Sequence, residues 1–346
     1  MGTLRKSHPR FRRTGEAPRI EVTDDDDAIL RHVFRHRFIR ADDIYRLFPG
    51  RSEDKLSRRL MRLYRNGFLD RPIAQVDRFH EGGSKAMVYG LDNAGARYLK
   101  EKLGVTLSSA DWKARNRSYT RENLDHTLSV GRFLIDLQLA CVKREGVEFI
   151  PFDEILRGAP EATRRLRQPG RWPVELTWMG SRGEVHIIPD AIFGIMGPGS
   201  DGKPTRTFIF LEVDRGTMTI APTERTRNSE AFLYRATLLR KFSAYAESHR
   251  LKRHQRGFGI PAARMLTLTT SSTRLRAMAE TARALVIDQL GLPPGLFLFG
   301  VQSDRSDPLA TEFLDAHFQA KRLARLPANN QPVLASSPAS DSYHCP

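Results

Sequence analysis

The residues best suited to chemistry are three carboxylates in two short runs: Asp190 in IIPDAIF (187–193), and Glu212 and Asp214 in FIFLEVDRGT (208–217). Phe208, Ile209, Phe210, Leu211 and Val213 make the second run strongly apolar, so it reads as a strand buried on both faces. An ionised carboxylate buried there is costly unless a cation or donor compensates it, so each acid requires a partner. Side chains alternate along a strand, which puts Glu212 and Asp214 on one face and Val213 on the other. Asp190 follows Pro189, a residue that strands tolerate at edges and bulges. If the two strands form a hairpin through GPGSDGKPTR (197–206), counting back from the loop brings Asp190 to Glu212. Three converging carboxylates make a hard-oxygen site suited to Mg²⁺, which activates water and neutralises charge on a phosphodiester. Asp190, Glu212 and Asp214 are therefore the candidate metal ligands and catalytic acids.

These acids need a sheet to hold them, and the surrounding pattern supplies one. A helix is expected over 121–144, with Leu124, Leu128, Leu134 and Leu137 inward. Strands are expected at 147–154, 174–178, 184–195 and 207–214, then a long helix over Ser229–Ser248, a strand at 264–269, a helix at 273–290 and a strand at 295–301. This order predicts an α/β domain over 120–302, a central mixed sheet flanked by helices.

Residues 23–103 carry a different pattern, mostly helical. Helices are expected at Asp25–Arg35, Ala41–Phe48 and Ser52–Asn66. In the third, Leu56, Leu60 and Leu63 repeat at i, i+4 and i+7 and form one apolar stripe. Its other faces carry Lys55, Arg58, Arg59, Arg62 and Arg65, the outline of a recognition helix that lies in a DNA groove. FLDRPIAQVDRF, a turn at HEGGSK and AMVYGL then read as a hairpin with a Gly-Gly tip flanked by Arg78 and Lys85, followed by a short helix at Asn93–Lys102. Helix, helix, basic helix, hairpin is the order of a winged helix-turn-helix. Arg and Lys at these spacings supply phosphate contacts and identify no target base.

The chain has 346 residues, 40% hydrophobic and 28% charged, enough for more than one core. Its 56 Lys plus Arg against 40 Asp plus Glu give a formal charge of +16, which favours a polyanion partner, double-stranded DNA first. No run approaches the roughly 20 apolar residues of a membrane span, so a cytoplasmic protein is expected. The two cysteines make neither a disulfide framework nor a metal knuckle. Residues 1–22 read as a basic disordered arm, 104–119 as a linker, 303–326 as a helical segment and 327–346 as a disordered tail.

IIPDAIF followed by FLEVDRGT resembles the PD-(D/E)xK nuclease-like core. The whole chain resembles the replication-relaxation family of plasmids and other mobile elements, through SRRLMRLYRNGFLDR, YGLDNAGARYL, LDHTLSV, PDA, EVDRGT and KFSAY. The resemblance implies a restriction-endonuclease-like second domain and a DNA-binding accessory protein of replication, relaxation or mobilisation, with a relaxase or replication initiator as a partner. It also exposes a departure, because the nuclease pattern carries Lys where this chain has Asp214. Lys241 is the candidate replacement, with Tyr245 one turn later on the same face, and Arg215 is a nearer option. Nucleases of this kind often add an acid from the first helix, a place for Glu122 or Asp125, with His126 adjacent. The structural alternative is that Arg215, Lys241 or Arg240 neutralises the acids and His126 bonds a neighbouring carboxylate. Three functions stay open: a non-enzymatic DNA-binding protein, an Mg²⁺-dependent endonuclease and a winged-helix transcriptional regulator. A homodimer would suit a two-fold symmetric operator, although no heptad seam is visible.

Overall fold

A computed structural model of the chain describes residues 10–13, 17–76, 86–104, 111–199, 203–302 and 313. The fold is mixed α/β. Its amino-terminal part runs α1 (Asp24–His36), β1 (Phe38–Arg40), α2 (Ala41–Leu47), α3 (Glu53–Arg65), β2 (Leu69–Asp70), β3 (Val88–Leu91), α4 (Asn93–Leu103) and α5 (Trp112–Arg117). The three strands form an antiparallel sheet in the order β1-β3-β2. The leucine stripe of α3 is buried with Ile29, Leu30 and Val33 of α1 and Ile44 of α2, each such side chain contributing roughly 1.5–3 kcal/mol on burial. Gly67 ends α3 in the left-handed region, φ 76°, with the Gly67 and Phe68 amides bonded back to Tyr64 and Leu63, the pattern of a Schellman stop. Gly95 lets α4 press on that turn: a Cβ there would sit 2.2 Å from the Phe68 carbonyl oxygen.

The larger part runs α6 (Arg121–Val142), β4 (Glu148–Ile150), α7 (Phe152–Arg157), α8 (Glu161–Arg164), β5 (Trp172–Trp178), β6 (Ser181–Ile187), β7 (Ala191–Pro198), β8 (Pro204–Val213), α9 (Glu224–Arg227), α10 (Leu238–Arg250), α11 (Arg253–Phe258), β9 (Ala263–Thr269), α12 (Ser272–Ala282), α13 (Asp288–Leu290) and β10 (Phe297–Val301). Five strands form one sheet in the order β10-β9-β8-β7-β4; β8, β9 and β10 are parallel, and β7 and β4 run antiparallel to their neighbours. Alternation along β8 divides the core. Ile209, Leu211 and Val213 pack with Phe133, Leu134 and Leu137 of α6, whereas Phe208 and Phe210 pack with Phe242 of α10 and Met278 of α12 on the other face.

α6 joins the two parts. Leu124 and Leu128 pack with Phe38 of β1 and Val88 of β3, and Ile135 lies in the amino-terminal core beside Trp112. Arg46 of α2 bonds both Asp43 and Asp136 of α6, and Arg35 of α1 makes a two-pronged contact with Asp153 of α7, both bonds 2.9 Å.

Several expected boundaries shift. The run 184–195 is two strands in different sheets, because Pro189 withholds a backbone donor and the chain breaks there. Residues 147–154 hold a short strand and then α7, which starts after Pro151. The long helix begins at Leu238, where the Thr237 hydroxyl accepts from the Arg240 amide, and not at Ser229. Among the described residues, the first arm of the 68–91 hairpin has β2 as its strand, followed by a 3₁₀ turn at Ile73–Gln75. Arg13, expected in a disordered arm, is held by the Tyr64 and Leu69 carbonyls and by Asp92. The tail 327–346 lies outside the described residues. No described helix is long and apolar enough to cross a membrane.

Candidate functional site

The β7–β8 register pairs Ala191 with Leu211, and the Asp190 amide donates to the Leu211 carbonyl at 2.9 Å. Asp190 thus sits across from Glu212, as counting back from the loop predicts. Glu212 and Asp214 both turn to the α10–α12 side of β8, where they engage different partners. Glu212 is buried and accepts from Lys241 Nζ at 2.5 Å on one oxygen and from the Tyr245 hydroxyl at 2.8 Å on the other. Asp214, one residue past β8, accepts from Arg274 Nε at 2.5 Å and Nη2 at 2.9 Å, from the Thr269 hydroxyl at 2.9 Å and from the Gly216 amide at 3.2 Å. One Asp190 oxygen bonds His126 Nε2 at 2.9 Å and the other accepts from the Val213 amide at 2.7 Å.

The charges follow from these contacts. Burial pushes the Glu212 carboxyl up to about 7, the nearby Asp190 charge adding to it and Lys241 and Tyr245 opposing it. Burial also works to raise Asp214, but Arg274, Thr269 and Gly216 outweigh it and hold that carboxyl below its ordinary value. Burial disfavours the Lys241 ammonium; the charge and hydrogen bond of Glu212 overcome this and keep it above the ordinary lysine value. The bond to Asp190 raises His126. Asp190, His126 and Lys241 have side chains 21%, 31% and 37% exposed, and Arg274 reaches solvent at 19%.

Every oxygen of the three carboxylates therefore already has a protein donor. Mg²⁺ needs near-octahedral oxygen ligands at about 2.0–2.1 Å, whereas these oxygens are engaged by Lys241, Arg274, His126, the Tyr245 and Thr269 hydroxyls and the Val213 and Gly216 amides. Among the described residues no three His, Cys, Asp or Glu side chains are grouped to hold a metal. As arranged, the trio does not fit the ion.

The supporting residues are dispersed. Arg215 donates to the Glu122 carbonyl at 2.7 Å, Arg240 to the Leu233 carbonyl at 2.7 Å, and Asp125 pairs with Arg121 at 3.1 Å. None of these three reaches Glu212 or Asp214. Sequence reasoning missed Arg274 and Thr269, the chief partners of Asp214. No local signal marks them, since Arg274 lies 60 residues further along the chain.

The second candidate surface is α3. Lys55, Arg58 and Arg62 are exposed opposite the buried leucines, and Arg65 is half-buried. Arg59 departs from the expected role: its guanidinium pairs with Asp26, fully buried at the start of α1, because that carboxylate would otherwise be an uncompensated charge. Arg78 and Lys85 lie outside the described residues.

The replication-relaxation family model matches residues 30–260. The chain belongs to that family. The match runs from α1 through α11, so it spans α3 and the acid cluster of this replication-relaxation protein alike. No curated protein and no solved structure matches the chain.

Proposed function

We propose that this replication-relaxation protein is a DNA-binding accessory factor of plasmid or mobile-element replication, relaxation or mobilisation. In this reading residues 23–103 act as a winged helix, α3 enters the major groove of duplex DNA, and a relaxase or replication initiator is the protein partner. The observation that carries it is the two-sidedness of α3. Leu56, Leu60 and Leu63 fix one face in the core, so Lys55, Arg58 and Arg62 stand out from the other in a chain of net charge +16. The acid cluster serves as a brace, tying the ends of β7 and β8 to α6, α10 and α12 through His126, Lys241 and Arg274.

Each phosphate contact lowers the slope of log K against log salt by about 0.9. Replacing Arg58 and Arg62 together by Ala should therefore cut the slope by up to about 1.8 and weaken binding in a low-salt gel shift. Unchanged binding would refute the assignment of α3.

One observation favours a second reading, an endonuclease: Lys241 on Glu212, with Asp190 across the register, is the set a nuclease of this pattern requires. Supercoiled plasmid incubated with the protein and Mg²⁺ or Mn²⁺ separates the two. Nicking that is lost in both Asp190→Ala and Glu212→Ala would establish an enzyme that depends on these acids, and intact plasmid alongside tight DNA binding supports the accessory role.

A further inference from the structure

Away from α3 and the acid cluster, two arginine-rich segments distant in sequence come together on the surface. The first runs from the end of α7 to the start of β5 and carries Arg157, Arg164, Arg165, Arg167 and Arg171; the second is the turn and helix Leu251–Phe258, with Lys252 and Arg256. They are packed through Phe258, whose ring lies 5.9 Å from that of Phe152 and 5.6 Å from that of Trp172. A Cβ at Gly259 would sit 3.5 Å from the Gly158 carbonyl oxygen, so the backbones are also close.

The acids of this region are already occupied. Asp153 pairs with Arg35, Glu154 with Arg35 and Arg157, Glu161 with Arg165, Glu247 with Arg250, and Glu175 of β5 with Arg182. Arg164, Arg167, Arg171, Lys252 and Arg256 are exposed, and among the described residues no carboxylate is paired with them. Five unneutralised cations on two adjoining segments repel one another, a cost that a polyanion offsets. Four are arginines, whose planar fork matches a phosphate in two-pronged fashion.

We infer that this face is a second DNA-binding surface, which holds the sugar-phosphate backbone of the duplex that α3 reads. The inference rests on the DNA-binding function proposed above. α1 links the two surfaces, because Asp26 near its start holds Arg59 of α3 and Arg35 near its end holds Asp153 of α7. Nine residues of helix separate these anchors by about 14 Å. A duplex of nearly three turns, about 100 Å, is far longer than that separation. Because the face contacts phosphates alone, it adds affinity and salt dependence without sequence preference.

The test is fluorescence anisotropy with the full chain and a duplex of about 30 bp, nearly three turns, over a series of salt concentrations. One variant combines Arg164→Ala, Arg167→Ala, Arg171→Ala, Lys252→Ala and Arg256→Ala, and a second places Lys at the four arginines. A third carries Arg58→Ala and Arg62→Ala. The first should lower the salt slope by about 0.9 for each phosphate it no longer neutralises, and so by about 2 to 4 in all. The lysine variant should keep most of the slope, and circular dichroism should show both folded. An unchanged slope in the folded five-alanine variant overturns the inference. Loss of binding to phosphatidylglycerol vesicles, with DNA binding intact, overturns it in favour of a lipid surface. If the α3 variant binds like wild type while the five-alanine variant does not, the α3 reading fails and the second surface stands.

Discussion

Replacing Glu212 by Gln tests the physics of the acid cluster directly. Glu212 is buried, and its carboxyl is pushed from an ordinary 4.5 up to about 7. Between those values the folded protein binds a proton that the unfolded chain has released, so stability falls as pH rises through the window and levels off above it. At 1.36 kcal/mol per pH unit, the loss amounts to about 3 kcal/mol. Gln keeps an acceptor oxygen for Lys241, and its amide can donate to the Tyr245 oxygen, so the variant mimics the protonated acid without titrating. Urea unfolding of both proteins, followed by tryptophan fluorescence, gives the difference in stability at each pH. The variant should match wild type near pH 4, below the window, and exceed it by up to about 3 kcal/mol near pH 8. Other titrating groups, His126 included, are common to both proteins and largely cancel in the difference. A difference that is flat, or that falls with pH, would show that the Lys241 pair outweighs burial and would refute the reasoning.

Two more predictions concern charges that the fold itself consumes. Arg59→Ala leaves the fully buried Asp26 carboxylate with only the Thr23 amide and hydroxyl as donors, in place of a guanidinium 19% exposed; removing one partner of a buried pair costs about 3–5 kcal/mol, and the remaining cap bonds put this variant near the low end. Urea unfolding should show that loss while the DNA salt slope of the folded variant stays at the wild-type value, and a reduced slope would return Arg59 to the DNA face. Arg274→Ala removes the two-pronged partner of Asp214 and should cost a similar amount at neutral pH. Because Asp214 is held below its ordinary value, wild-type stability from this pair is present above the unfolded carboxyl range and fades as pH falls through the folded value, so the two melting curves should converge in acid. Parallel curves at all pH values would deny the pair its role.

The parts of the fold legible in the sequence were those fixed by local periodicity. α3 followed from three leucines and a glycine stop, and β8 from its apolar run. Asp190 met Glu212 because strand register needs nothing beyond the pleat and the loop. Lys241 and Tyr245 were legible for the same kind of reason, since residues four apart on a helix share a face. What stayed hidden was set by the tertiary fold. EVHIIPDAIFGI alternates like one strand, and only the packing of β5 and β6 against α10 shows that Pro189 separates two sheets. Arg59 looked like its neighbours on α3 because nothing local reveals that Asp26 lies beneath it. Arg274 could not be chosen from among many arginines without the parallel β8–β9 pairing that brings Thr269 and α12 to the end of β8.

The shared helix α6 also bears on how the protein is made. Until residues 124–135 have been synthesised, Phe38 and Val88 lack Leu124 and Leu128, and the amino-terminal core lacks Ile135, although all the residues of α1 through α4 are already in the chain. At roughly 5–20 residues per second the interval from Leu103 to Ile135 is about two to six seconds. During it this apolar seam lacks its α6 side, which only the first helix of the larger part supplies.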